Sequence, residues 1–299
     1  MGAPVAIATL VTLLFAVPGL DWSSPGDHLE CFSGQMEVTK AEWAAGRSAM
    51  PFDVELSSEM DLLTPSGFAN ALFYACNLKP GSGHMTAPVC STFVFMSRGS
   101  TLRSRTRPLG RSDSQAVRDG NVLAARAFIL CLVCAAKFVW WLLEQPGSSC
   151  MELHPLFQHM LKMLTIHKLG INMSDFGAPT TKRTLLYSSH REVENLLEYK
   201  VEPQLQDREM VVSYTNHKGE RRIHGGRDLK GSQAYPKQFG SALCKVRTQF
   251  LSKHRRAAKQ KLREARKSTK QLDVRPRINK AWVTGADLQS VFDFLSAQP

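Results

Sequence analysis

Short apolar runs alternate along this chain with stretches of helix-forming residues, and Gly, Pro, Ser or Thr punctuate the joins. Glu30 to Gly34 (ECFSG) predicts a short strand breaking into a glycine turn, and Thr39 to Ala45 predicts a helix ended by Gly46. Pro51 to Leu56 (PFDVEL) reads as a second strand. Thr64-Pro65-Ser66 opens a helix over Gly67 to Leu78, because a Ser or Thr side chain caps free N–H groups and Pro suits the first turn. Lys79-Pro80-Gly81-Ser82-Gly83 ends that helix. His84 to Phe95 predicts a third strand with Cys90 at its centre. Asn121 to Lys137 predicts a helix, Phe138 to Leu143 (FVWWLL) a buried strand ending at Glu144-Gln145-Pro146, and His154 to Leu164 a further helix. Strand alternating with helix at this spacing implies an α/β fold, a doubly wound, Rossmann-like parallel sheet. Ligands of such sheets lie at the carboxyl ends of the strands. Four polar stations fall there: Ser33-Gly34, Asp53, Cys90 and Glu144.

Composition narrows the class. Of 299 residues 43% are hydrophobic, enough for a sizeable core, which excludes global disorder and a collagen-like fibre. The net charge of +12 is concentrated: Lys245 to Lys270 hold eleven basic residues and one acid, Glu264, while the remainder is nearly neutral. Within this arm KQKLREARK is rich in helix formers, so it reads as a solvated basic helix that binds nucleic acid non-specifically, with Arg255 and Arg256 as candidate contacts. A membrane surface suits it less, since almost no large apolar residue follows Phe250 and Leu251. Asp287 to Ala297 reads as a short amphipathic helix.

Seven scattered cysteines, an odd number in a long chain, suggest no disulfide framework. Cys131 and Cys134 form a CxxC inside an apolar helical run and read as two buried helix cysteines, and the nine histidines show no metal spacing, so no metal is assigned. Met1 to Leu20 carry no charged side chain and read as a signal peptide or a membrane anchor, although a basic n-region is lacking and Pro4 and Pro18 bracket only 13 residues. A second apolar stretch, Val122 to Leu143, reads as a core helix followed by a strand. The chain thus divides into a hydrophobic segment (1–25), one sheet domain (26–250) and a basic helical arm with a short terminal helix (251–299).

The polar stations together resemble the motifs of the DNA cytosine-5 methyltransferases. Ala87-Pro88-Val89-Cys90-Ser91-Thr92-Phe93 is similar to that family's nucleophile motif, Gly-Pro-Pro-Cys-Gln-x-Phe, and Glu144-Gln145-Pro146 stands where the family has Glu-Asn-Val. Cys31-Phe32-Ser33-Gly34 resembles the opening Leu-Phe-x-Gly of the cofactor motif, with Met36 and Glu37 in place of its later glycines. Phe176-Gly177-Ala178-Pro179-Thr180-Thr181-Lys182 resembles Tyr-Gly-Val-Pro-Gln-x-Arg, with Lys182 for the Arg and Thr180 and Thr184 for the Gln and a second Arg. Gly240-Ser241-Ala242-Leu243 echoes the closing Gly-Asn-Ala-Val. The resemblance spans roughly residues 30 to 250, and the order of the motifs is more specific than any one of them.

What the resemblance implies is a covalent methyl transfer. Carbon 5 of cytosine is a poor nucleophile, so a thiolate, here from Cys90, first adds at carbon 6. Glu144 would offset charge at ring nitrogen 3, a role that favours a raised pKa. S-adenosylmethionine would be the cofactor, with Phe32 against its adenine, the Gly34 backbone at its methionine end, Asp53 (preferred over Glu55) on its ribose and Asp61 at the adenine edge. The substrate base must be flipped out or unpaired. Arg98, Arg103, Arg105, Arg107 and Arg111 follow the nucleophile with no intervening acid, and such clusters bind phosphate in a salt-dependent way. Arg98, Arg103, Arg105, Arg107 and Lys182 are accordingly candidate nucleic-acid contacts, DNA favoured over RNA. Between the Gly-x-Pro and closing motifs only Tyr187 to Gly226 remains for target recognition, with a hairpin turn at Asn216-His217-Lys218-Gly219. Two other functions fit parts of the chain: a nucleic-acid-binding module that has lost turnover, and a secreted or membrane-anchored protein using residues 1–20. The first two place it in the nucleus or cytoplasm, while the hydrophobic N-terminus leaves a secretory or membrane route open.

Overall fold

The computed structural model describes residues 23–268. The hydrophobic segment 1–20 and the helix expected over Asp287 to Ala297 lie outside them.

Strands β1 (Gly26–Cys31), β2 (Ala49–Phe52), β3 (Leu78–Thr86), β4 (Trp140–Pro146), β5 (His167–Asn172) and β6 (Arg183–Ser188) form one sheet in the order β2-β1-β3-β4-β6-β5. The first four run parallel, and β6 lies antiparallel between β4 and β5. The connecting helices are α1 (Glu37–Ala44), α2 (Pro65–Cys76), α3 (Gln115–Ala136) and α4 (Pro155–Met163), and α5 (Lys237–Ser268) closes the domain. This is an α/β fold with a mostly parallel, mixed six-stranded sheet, compatible with a Rossmann-like architecture. Strands β7 (Val211–Thr215) and β8 (Arg221–Gly225) make a separate hairpin around the expected turn at Asn216 to Gly219.

Both faces of the sheet are covered, which is why FVWWLL has no polar alternation. Trp141 and Leu143 point into a core with α2, α3 and α4, through Leu72, Phe128 and Phe157. Trp140 and Leu142 point the other way, against Phe239, Leu243, Val246 and Phe250 of α5. Thr64 caps α2 as expected, its hydroxyl accepting from the Gly67 N–H at 3.0 Å with Pro65 in the first turn. Helix α3 is long and apolar enough to cross a membrane, but its apolar residues are largely buried in the core.

Several elements depart from the sequence reading. Lys79 to Ser82 do not end a helix; they bulge out within β3, whose pairing with β1 steps from Gly26–Leu78 to His28–Gly83. Strand β3 stops at Thr86, so Cys90 lies beyond the strand in a loop, where Pro88 has no N–H to continue a ladder. Strand β2 ends at Phe52 because Asp53 turns the chain, its Oδ1 accepting from the Glu55 N–H at 2.9 Å. The basic arm is not solvated throughout: α5 begins at Lys237, and Val246, Arg247 and Phe250 are buried. Gly240 is required where α5 crosses α1, since a Cβ there would meet the Glu37 carbonyl at 2.3 Å.

Candidate active site at the carboxyl edge of the sheet

The chain leaves β1 in one direction to β2 and returns across it to β3, so a topological switch point opens between β1 and β3. Three segments converge on this edge: the turn after β1, the loop after β3 and the end of β4.

The turn after β1 is tightly wound. Phe32, Gly34 and Met36 all adopt left-handed backbone conformations, with φ of 58°, 47° and 59°. For Phe32 and Met36 this costs about 1 kcal/mol each. The Phe32 N–H donates to the Phe52 carbonyl at 2.9 Å, and its ring packs against the core. The Gly34 N–H donates to Asp53 Oδ2 at 2.9 Å, so two expected cofactor residues meet directly. Asp61 stands apart from them, its Oδ1 accepting from the Leu63 N–H at 2.8 Å in the turn before α2. Beside the switch point, the buried Ser33 and Thr86 hydroxyls and Glu30 Oε1 have no hydrogen-bond partner. Thr86 pairs with Cys31, so Glu30 and Thr86 lie on the two strands that flank the switch, and Ser33 lies in the turn just after β1. Buried orphans of this kind are uncommon and mark where a ligand's polar atoms would be welcome.

Glu144 ends the apolar run of β4 and is buried. Its Oε1 lies 3.7 Å from Lys182 Nζ and has no hydrogen-bond partner. Burial pushes its carboxyl up, while Lys182 and the Tyr235 hydroxyl pull it down. Cys90 is the one cysteine of seven that is not buried. Its thiol is pushed up by partial burial and then by the Glu144 charge, with Lys182 opposing. Cys90, Glu144 and Lys182, chosen from three separate motifs, therefore form one electrostatic cluster. Gln145 secures it: its Nε2 donates to the Pro88 carbonyl at 2.8 Å, and its Oε1 accepts from Ser149 at 2.9 Å. Glu30 lies nearby on β1, its carboxyl pushed up to about 7 by burial although Thr39 donates to it.

The arginine loop divides. Arg98, Arg105 and Arg107 are exposed, with Arg98 lying 5.1 Å from the Phe95 ring centroid and Arg107 Nε donating to the Gly110 carbonyl at 3.0 Å. Arg111 pairs with Asp113. Arg103 corrects the expectation of a phosphate contact: it is 2% exposed, and its guanidinium is committed to groups of the loop and of α3. Phe95, 64% exposed, Val89, Met96 and Leu102 give the same loop an apolar outer surface. Arg255 and Arg256 lie in α5.

Sequence reasoning missed Tyr235, Gln145 and the inward turn of Arg103. Tyr235 reaches Glu144 from the entry to α5, where its ring stacks near Phe239 at 5.1 Å. No local pattern announces that contact across ninety residues of chain. Gln145 stands where the family motif has Asn, and its residue type alone does not mark the contact it makes. The cysteines of the CxxC are buried in α3, and among the described residues no cluster of three or more His, Cys, Asp or Glu could hold a metal. A cavity of about 1030 Å³ lies at the opposite edge of the sheet among Asp27, Phe138, Trp141 and Phe250, and contains none of the candidate residues.

No protein-family model matches this chain, and no curated protein matches it.

Proposed function

We propose that this protein is a methyltransferase that acts on carbon 5 of cytosine in nucleic acid, DNA favoured, through a covalent bond from Cys90. The observation that carries this reading is the convergence of Cys90, Glu144 and Lys182 beside the switch point. S-adenosylmethionine is the proposed cofactor; the Phe32 to Gly34 turn, Asp53 and the unpartnered Ser33 and Thr86 hydroxyls are suited to hold it. When bound, it supplies an electrophilic methyl group. Cys90 loses its proton to solvent and its sulfur bonds carbon 6 of the ring. Glu144, held towards its protonated form by burial, donates to ring nitrogen 3 as electron density moves there. After methylation the carbon 5 proton leaves to solvent, the carbon 6–sulfur bond breaks and Cys90 is free again. Lys182 pulls the Cys90 thiol down against burial and so favours its thiolate. Exposed Arg98, Arg105 and Arg107 would meet phosphates, and the basic half of α5 would add sequence-independent affinity. A nuclear or cytoplasmic place of action follows from this substrate.

One observation favours a second reading. The Cys90 thiol is pushed up, away from the activated range of nucleophilic cysteines. With Met36 and Glu37 replacing glycines, this fits a nucleic-acid-binding module without turnover.

An oligonucleotide carrying 5-fluorocytosine decides between them. Fluorine blocks the final elimination, so with S-adenosylmethionine the wild type should remain covalently attached and Cys90→Ser should not. Salt-sensitive binding without an adduct would establish the binding module instead.

A further inference from the structure

Arg103 ties the Cys90 loop to the body of the domain. Its Nε donates to the Thr92 carbonyl at 2.8 Å and one Nη to the Thr92 hydroxyl at 3.1 Å. The other Nη reaches the Pro108 carbonyl and Asn121 Oδ1, both at 2.8 Å. The guanidinium carbon lies 3.7 Å from the Phe93 ring centroid, and the Phe93 N–H donates to the Cys90 carbonyl at 2.8 Å. Gly120 of α3 makes room for this arrangement, because a Cβ there would meet the Thr92 hydroxyl at 2.5 Å. One planar, always-charged group thus binds the two residues that follow the nucleophile by two to three positions, the far side of the loop and α3 at once.

We propose that Arg103 is a positioning residue for Cys90, fixing the loop on its carboxyl side as Gln145 fixes it on its amino side. Neither residue touches the reacting atoms. Together they hold the thiol at a set distance from Glu144 and keep it from opening to solvent. The exposed arginines flanking Arg103 belong to the same stapled loop, so phosphate contacts made there bear on the thiol through Arg103. The catalytic consequence rests on the methyl-transfer reading, whereas the positional claim does not.

Because the other six cysteines are buried, alkylation by iodoacetamide followed by peptide mass analysis reports on Cys90. The full-length wild type, Arg103→Gln, Arg103→Lys and Gly120→Ala are compared with Arg247→Lys, a substitution in α5 far from the loop. Loosening the staple should speed Cys90 alkylation by about tenfold in Arg103→Gln and Gly120→Ala, with Arg103→Lys between them and the wild type. Arg247→Lys should react at the wild-type rate even where its melting temperature falls as far. In the trapping assay the same loop variants should form adduct more slowly, the opposite direction from alkylation. Wild-type alkylation rates in both Arg103→Gln and Gly120→Ala would overturn the proposal, as would equal acceleration in Arg247→Lys. Accelerated alkylation with no trapping even in the wild type would keep Arg103 in its positioning role and remove the methyl-transfer reading. Should Arg103→Gln fail to fold, Gly120→Ala carries the test with Arg103 intact.

Discussion

Burial raises the Cys90 thiol, and a carboxyl group and an ammonium nearby then shift it in opposite directions. Glu144 raises the thiol and Lys182 lowers it, while Lys182 also lowers Glu144. The two neighbours therefore have opposite signs as substitutions. Lys182→Met should move the pH midpoint of Cys90 alkylation upward, and Glu144→Gln should move it downward, since neutral Gln removes a charge that opposes the thiolate. A pH series of alkylation rates on the three proteins reads both shifts. Equal midpoints would mean that Lys182 points away from the cluster in solution. Under the proposed methyl transfer, Glu144 contributes only where it keeps its proton. Burial favours that proton, and Lys182 opposes it.

At the scale of elements, α5 joins two kinds of chemistry in one helix. Its first turns are core: Phe239, Leu243, Val246 and Phe250 pack beneath the sheet. Arg247 is buried with them, its Nε donating to Glu42 Oε1 of α1 at 2.7 Å while Arg47 pairs with the same carboxylate. Removing Arg247 leaves the buried Glu42 to Arg47, so Arg247→Ala should cost up to about 3 kcal/mol in urea unfolding. Truncation after Ser252 should instead leave the melting temperature close to wild type and flatten the salt dependence of the proposed nucleic-acid binding, because the basic residues from Lys253 to Lys270 are lost. A truncated chain that binds with the full salt slope would place the affinity in the arginine loop alone. This division was half legible in sequence. The charge run was plain, but the apolar spacing of Phe239, Leu243, Val246 and Phe250 overlaps it, and composition hid the periodicity. Strand β4 and helix α2 were read nearly as they stand, because an apolar run and a Thr-Pro cap are local signals. Both bounds of β3 escape the sequence: its start carries a bulge at Lys79 to Ser82 set by pairing with β1, and the apolar run Val89 to Phe95 belongs to a loop in which Phe93 packs on Arg103 while Val89 and Phe95 stay exposed. Site residues tied to strand ends came together for the same reason: parallel strands share one carboxyl edge. Tyr235, brought in by a helix from the far end of the domain, had no such local mark.

The molecule as a whole buries titratable groups that pull in opposite directions with pH. Burial holds His28 at about 3, and His84 and His154 at about 4, so all three are neutral in the folded state near pH 6. Each has a pKa near 6.5 when unfolded, so between those values the unfolded chain binds more protons. Their contribution is complete above pH 6.5 and is lost as pH falls, at about 1.4 kcal/mol per pH unit for each proton. Glu42, pulled down by Arg247 and its other cationic neighbours against the cost of burial, adds to the loss at lower pH. Glu30, raised to about 7, acts the other way: the folded state holds its proton longer, so its contribution is complete near pH 4.5 and is lost as pH rises through 7. Urea unfolding from pH 4.5 to 6.5 separates these terms. His28→Asn should reduce the slope of stability against pH by about 1.4 kcal/mol per unit, and Glu30→Gln should steepen it by about the same amount. An unchanged slope in His28→Asn would mean that water reaches the ring and lets it charge within the fold. The Glu30 variant carries a functional consequence too, because this carboxyl lies on β1 just before the turn proposed to hold the cofactor. If its proton is needed to keep that turn in place, cofactor binding should weaken above pH 7 in the wild type and become insensitive to pH in Glu30→Gln.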